Sequence, residues 1–594
     1  MLLQHLLILF CIMQHNAALE SVTQFRKQYM ESGVQTDPSN CSINACEALQ
    51  VMSQIYLMVK SSDTHKDDGK NQTNKLDKLE VSKSLDAAYG IRSMDITKRV
   101  RQIESRLRSV EQPVWRLTPG SQLEWNHCTS GVCRCNPDTK RFTCWNTNLK
   151  SVPVMQVIPM NMVSIDLSRN LLSTLHKDTF RGLTLLRELD LSNNLLDFLP
   201  FDIFQDLDSL VQLRIQHNQL EDLDTRVFWK LRQLHLLDIS KNELLHLPEN
   251  IFNHVQRLTV INLSDNKIKH FPPSLMRDQL ALEELDLSRN EISLLQSGSM
   301  RNLEKLKILD ISWNSISNIS DDFFADLKSL RTLILHNNRI STITRNIFEN
   351  LSDLVTLDLT MNRISRIDAR AFAELSNLRE LFLSQNSMSY IPEGLFLNTA
   401  SLTRLTFFSN NLTSLEADDF QGLTNLKHIM LNNNFLKNFN AEAFAPLVNL
   451  EKLRIDSNKL QYLPHGALNG LNKLVAVKLD KNPWHCDCRA LYLARWIREF
   501  GSKLWDGQPM CRGPGDLGGH EVGLLRYDDL CDGQWASMLS LSPRLPVRKH
   551  RISTPMNYSD YFNLYLKHIY SSTPSNDQET TTKSSRMDVS NLNV

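Results

Sequence analysis

The residues best suited to chemistry in this chain are its cysteines. Eleven occur, with Cys11 inside an apolar leader. The other ten form three groups: Cys41 and Cys46; Cys128, Cys133, Cys135 and Cys144; Cys486, Cys488, Cys511 and Cys531. A Cys-x-Cys pair can ligate zinc, which needs a reducing, metal-buffered compartment, or it can oxidise to disulfides outside the cell. Even-numbered clusters at domain edges favour oxidation, so no metal site is expected. Four cysteines allow three pairings, and sequence alone leaves each cluster's connectivity open. Catalytic constellations are missing from the sequence: there is no Gly-rich phosphate loop, no His-Glu-x-x-His motif and no Gly-x-Ser-x-Gly elbow. The seventeen histidines are scattered. The chain therefore reads as non-enzymatic, with no catalytic residues and no cofactor. Lys+Arg and Asp+Glu both number 66, and this zero formal charge argues against nucleic acid as a partner.

The elements that must carry these clusters are set by a repeat. Asn stands at 170, 194, 218, 242, 266, 290, 314, 338, 362, 386, 410, 434, 458 and 482, thirteen intervals of 24 without a gap. Each has an apolar frame such as Leu186-x-x-Leu189-x-Leu191-x-x-Asn194-x-Leu196-x-x-Leu199. Leu-x-Leu alternates as a short strand requires, and stacked strands give a parallel sheet along one face. Each Asn falls where the chain leaves its strand. Its amide both donates and accepts, so it can satisfy buried backbone groups of adjacent coils, which Asp could only do as an acceptor. Phe at 180, 204, 228, 252, 324, 348, 372, 396, 420 and 444, with Met276, Met300 and Leu468 in phase, forms a second ladder. Its period marks a buried convex spine rather than an aromatic cage.

Residues 128–532 resemble the extracellular leucine-rich-repeat family with cysteine-rich caps, the type found in Slit, the Nogo receptor, Toll-type ectodomains and the acid-labile subunit. The residues that carry the resemblance are the repeat, Cys128-x4-Cys133-x-Cys135-x8-Cys144, and Asn482-Pro483-Trp484-His485-Cys486-Asp487-Cys488 followed by Trp496, Cys511 and Cys531. The resemblance implies a curved α/β solenoid with a concave parallel sheet. It also implies the pairs Cys128–Cys135, Cys133–Cys144, Cys486–Cys511 and Cys488–Cys531, and a role in binding proteins. Caps are physically required, because a solenoid exposes apolar core at each open end.

The expected organisation is a signal peptide over 1–18, a helical or coiled-coil extension over 19–125 and an amino cap over 126–150. Repeats over 151–482, a carboxyl cap over 483–532 and a disordered tail over 533–594 follow. Leu6–Met13 is too short to span a bilayer and is followed by Ala17-Ala18, as in a secretory signal. No later segment reads as a membrane span, so the expected location is the extracellular space or matrix. Acceptor triplets for N-glycans occur at Asn40, Asn71, Asn262, Asn318, Asn350, Asn411 and Asn557. Ile96, Val100, Ile103, Leu107, Val110 and Val114 follow an alternating four-three heptad seam. Pro113 is expected to end that helix. Two readings fit: homo-oligomerisation through residues 96–114, or a helix packed on this chain's own first cap. Cys41 and Cys46 pair with each other or across chains. The basic run Arg548-Lys549-His550-Arg551 reads as a solvated linker, a processing site or a patch for matrix glycans.

The phase of the repeat also locates a candidate binding surface. Trp313, Ile334, Met361, Phe382, Phe408 and Met430 lie one on each of six consecutive strands, in positions expected to face solvent. Arg404, Lys427, Lys452, Arg454 and Lys478 border them. An apolar patch with a polar rim marks an interface for a protein ligand or cell-surface receptor. The competing reading is that loops or the amino-terminal segment cover it. The Asp-Leu-Ser stripe of the first coils reads as family background. A glycan on Asn262 is expected to shield that acidic end.

Overall fold

A computed structural model describes residues 93–531. The segment expected to be a signal peptide, Cys41, Cys46, Asn40, Asn71, Asn557, most of residues 19–125 before Ser93, the basic run and residues 533–594 lie outside the described residues. The chain divides into two units at Arg99, and the unit that begins at Val100 holds the repeats and both caps.

The repeat builds a 16-stranded sheet. It opens with an antiparallel hairpin of the amino cap, Arg134–Asn136 with Arg141–Thr143. From Ser164–Asp166 to Ala476–Lys478 every strand is three residues long and pairs in parallel with the strand one repeat away. The register is one repeat per step, so equivalent residues form columns: Asp286 lies beside Asp310, Asp310 beside Ile334, Asp358 beside Phe382 and Thr406 beside Met430.

The Asn ladder holds these coils together as its chemistry predicts. Asn338 Nδ2 donates to the carbonyl of Ile311 at 3.0 Å and of Leu335 at 3.1 Å, while its Oδ1 accepts from Ile316 N at 3.0 Å. One buried amide thus joins neighbouring coils. Behind it the Phe ladder is fully buried and stacked, with Phe348 6.2 Å from Phe324 and 6.1 Å from Phe372.

Both ends are closed by disulfides in the implied pairing: Cys128–Cys135, Cys133–Cys144, Cys486–Cys511 and Cys488–Cys531. All eight cap thiols are consumed, leaving none there for zinc. The amino cap reaches further back than residue 126. Arg116–Thr118 pairs with Val157–Pro159, and the buried Trp115 packs edge-on against Phe142 and Phe180. An indole here covers apolar surface that the open end of the stack would otherwise expose.

Helix Ser93–Glu111 ends two residues before Pro113. Of its apolar seam, Ile103, Leu107 and Val110 are 38%, 40% and 65% exposed. Gln102 Nε2 donates to Asp222 at 2.9 Å, Ser105 Oγ to Asp197 at 3.0 Å and Ser109 Oγ to the Leu175 carbonyl at 2.7 Å. Arg108 forms an ion pair with Asp197. Residues 102–109 of the helix therefore rest on the flank of the first repeats by a polar face.

Candidate concave binding surface

The strand-leaving turn imposes an unusual backbone on one column. The residue before each of the fourteen ladder asparagines has φ between 52° and 59°. This left-handed conformation suits Asn and costs bulky side chains about 1–2 kcal/mol. The column is polar almost throughout: Arg169, Asn193, His217, Lys241, Asp265, Arg289, Asn337, Gln385, Ser409, Asn433, Ser457 and Lys481. Trp313 and Met361 break it, with φ of 53° and 55°. Trp313 is half-buried. The Arg289 guanidinium lies 5.0 Å from its ring centroid, and His336 meets its edge at 6.2 Å.

Of the six expected patch residues, Trp313, Ile334, Met361 and Met430 are partly exposed on the concave side. Phe382 and Phe408 are not solvent-facing: they are 9% and 5% exposed. Strands in a sheet are about 4.8 Å apart, and Phe382 stands in its column between Asp358 and Thr406. Beside them Ser384 Oγ donates to Thr406 Oγ1 at 2.8 Å within the same buried layer. The surface is narrower than the sequence suggests, and the two phenylalanines form its floor.

The acidic stripe is built into the fold. Asp166, Asp190, Asp286 and Asp310 each accept the backbone N–H of the serine two residues on, at 2.8–2.9 Å. Burial raises the carboxyls of Asp238, Asp286 and Asp310. Asp310 reaches about 6 through burial first and the charge of Asp286 second, against the hydrogen bonds of Ser312 and the nearby His336. Asn262 occupies the same column. Its Oδ1 accepts from Ser264 N at 3.0 Å and Oγ at 2.7 Å, and the residue is 5% exposed. It is a strand residue in a packed sheet, so the expected glycan shield over the acidic end has no room. Asn318, Asn350 and Asn411 are exposed.

The basic rim is present but matched by acids. Arg404 lies 3.5 Å from Glu380, Lys427 3.1 Å from Glu451 and Lys478 3.1 Å from Asp506. Arg454 makes a two-pronged contact with Asp456 at 3.0 and 3.1 Å. Lys452 flanks His428, whose pKa falls to about 4 through burial first and then the charges of Arg404 and Lys452. Arg454 also stacks over Trp505 at 5.5 Å. Trp505 binds the Val477 carbonyl through its own backbone N–H at 2.8 Å. The concave surface thus continues into the carboxyl cap. Sequence reading missed Arg289, His336 and Trp505. Arg289 was legible one repeat before Trp313 and His336 one residue short of a repeat after it, whereas Trp505 lies beyond the repeat's phase.

The leucine rich repeat family model matches in eleven overlapping segments between residues 160 and 483, more than half of the chain. This chain belongs to the leucine-rich-repeat family. Among curated proteins, this repeat protein is 32% identical over 72 residues to SLIT and NTRK-like protein 6 of Mus musculus, covering 12% of this chain and 8% of that one. It is 38% identical over 52 residues to carboxypeptidase N subunit 2 of Homo sapiens, covering 9% of this chain and 10% of that one. The matches span about a tenth of either relative. A leucine-rich-repeat protein of Leptospira interrogans superposes with a TM-score of 0.53 at 25% identity, covering 66% of this chain and all of that one. TLR13, solved with ssRNA13, superposes at 0.50 with 24% identity over 59% of this chain and 55% of that one, which shows the shared fold. The scaffold is of a type that recognises proteins and is generally non-enzymatic. No helix among the described residues is long and apolar enough to cross a membrane.

Proposed function

We propose that this protein is secreted and holds a protein ligand or cell-surface receptor against its concave sheet, centred on Trp313, Ile334, Met361 and Met430. Trp313 carries the reading. A tryptophan stands in a left-handed position that the other coils, Met361 apart, give to polar residues, and it is partly open to solvent. Strain kept at a surface position points to function, and aromatics sandwiched with arginine are favoured binding anchors. The oxidised caps support an extracellular setting. The mixed charge around the patch suits a protein partner, with adhesion, signalling or immune recognition as the context.

The test uses the left-handed turn itself. Trp313→Asn creates an acceptor triplet with Asn314 and Ser315 and suits a φ of 53°. Leu195→Ser creates the control triplet on Asn193, which holds the same left-handed position five repeats earlier with a φ of 53°. Both variants are checked for secretion and glycan occupancy, then for cross-linked partner capture. Loss of capture only in the Trp313 variant supports the site, and equal capture in both rejects it.

A second reading, a structural matrix component assembled through the amino-terminal coil, is favoured by the apolar stripe that helix Ser93–Glu111 leaves exposed.

A further inference from the structure

The helix that ends at Glu111 has two faces with opposite fates. In heptad letters, Val100 and Leu107 take position a, and Ile96, Ile103 and Val110 take position d. Gln102 and Ser109 fall at c, Ser105 at f and Arg108 at b. The hydrogen bonds and the ion pair to the solenoid therefore come from the back of a coiled-coil helix, and at the flank Arg106 lies 6.0 Å over the Phe198 ring. The seam points away: Ile103 is 38% exposed, Leu107 40%, Val110 65% and, just beyond the helix, Val114 37%. Large apolar side chains in a row at such exposure cost free energy unless something covers them.

The charges beside the seam identify what fits. Arg106 stands at g and Glu111 at e, five residues later, and both are exposed. The sequence carries the same pair one heptad earlier, Arg99 and Glu104. In a parallel coiled coil, g of one chain meets e of the next heptad on its neighbour, so Arg faces Glu at both steps. An antiparallel pairing sets g against g and e against e, placing like charges together. The pattern is self-complementary only in parallel. Position a carries Val100 and Leu107 and position d carries Ile96, Ile103 and Val110, a mixed seam that sets the direction through its charges and leaves the number of strands to be measured.

We propose that residues 96–114 assemble this chain with further copies of itself as a parallel coiled coil, each helix held to its own solenoid by Gln102, Ser105, Arg108 and Ser109. So short a seam is weak for free peptides, because each helix must first form. Here the solenoid has already fixed the helix, which removes that cost. The proposal rests on the second reading only in placing assembly at this helix. Whether the assembly lies in a matrix is a separate question, answered by fractionation.

Sedimentation equilibrium of the full secreted chain tests it. The expected mass is a whole multiple, two or more, of the single-chain mass at micromolar concentration. Val110→Glu, at the most exposed seam position, is expected to weaken association at least about tenfold while circular dichroism and secretion stay unchanged. Glu111→Arg faces Arg106 of the neighbour and weakens association; adding Arg106→Glu restores it. These two positions are five apart and do not face each other on one helix, so rescue reports contact between chains. A single-chain mass in the parent overturns the proposal, as does an assembly unaffected by Val110→Glu; either result leaves the seam to the chain's own amino-terminal segment or another protein. Tighter association in Glu111→Arg overturns the parallel register.

Discussion

Asp310 offers a sharp test of the concave electrostatics. Its half-buried carboxyl stands between Asp286 and Ile334 in the strand column, accepts the Ser312 N–H at 2.8 Å, and has its pKa raised to about 6. A folded pKa above the unfolded value of 3.8 means that the folded state binds the proton more tightly. Stability from this group is therefore gained as pH falls from about 6 toward 4 and is lost as pH rises through 6. Asp310→Asn removes the charge and keeps the acceptor, as Asn262 does two repeats earlier with Ser264. Removing a charge whose carboxyl is raised to about 6 should stabilise the variant over the parent by on the order of 1–3 kcal/mol at neutral pH. The assay is urea unfolding of parent and variant at pH 7.5, 6 and 4.5. Because the change writes an acceptor triplet with Ser312, both are made in a bacterial periplasm, which oxidises cysteines without adding that glycan. The variant should be the more stable at pH 7.5, and the gap should close by pH 4.5. A variant less stable at pH 7.5, or a gap independent of pH, refutes the assignment of a strained charge to this column.

Two further outcomes are expected from the packing. Asn338→Asp replaces two donated bonds to the Ile311 and Leu335 carbonyls by carboxylate–carbonyl repulsion in a 7%-exposed site. It should cost about 2–4 kcal/mol in urea unfolding, whereas Asn337→Asp, outside the ladder, should cost far less. Asp197→Ala removes the acceptor for Ser105 and the partner of Arg108. Amide exchange across residues 102–111 should then rise about tenfold, for ~1.4 kcal/mol lost, with protection of the repeats unchanged.

Much of the fold was legible because the repeat writes it fourteen times. The role of each ladder Asn follows from its chemistry, and the amide bonds of Asn338 are the ones that chemistry requires. The site was legible only in outline. Phase places Phe382 and Phe408 on the concave sheet, but their burial depends on side chains one repeat away, which periodicity does not weigh. Asn262 fails as a glycan site for the same reason: the triplet is local and the burial is not. The heptad seam identified an apolar stripe on the helix. That the opposite, polar face would dock depended on Asp197 and Asp222, which no helix pattern can foresee.

The central claim is that recognition takes place on the concave sheet. A photo-cross-linking residue at Ile334 tests it directly, with the same residue at Trp229, a 40%-exposed side chain on the convex returns, as the comparison. Recognition on the concave side predicts a partner adduct from position 334 and none from position 229. An adduct from position 229 with none from position 334 would contradict it.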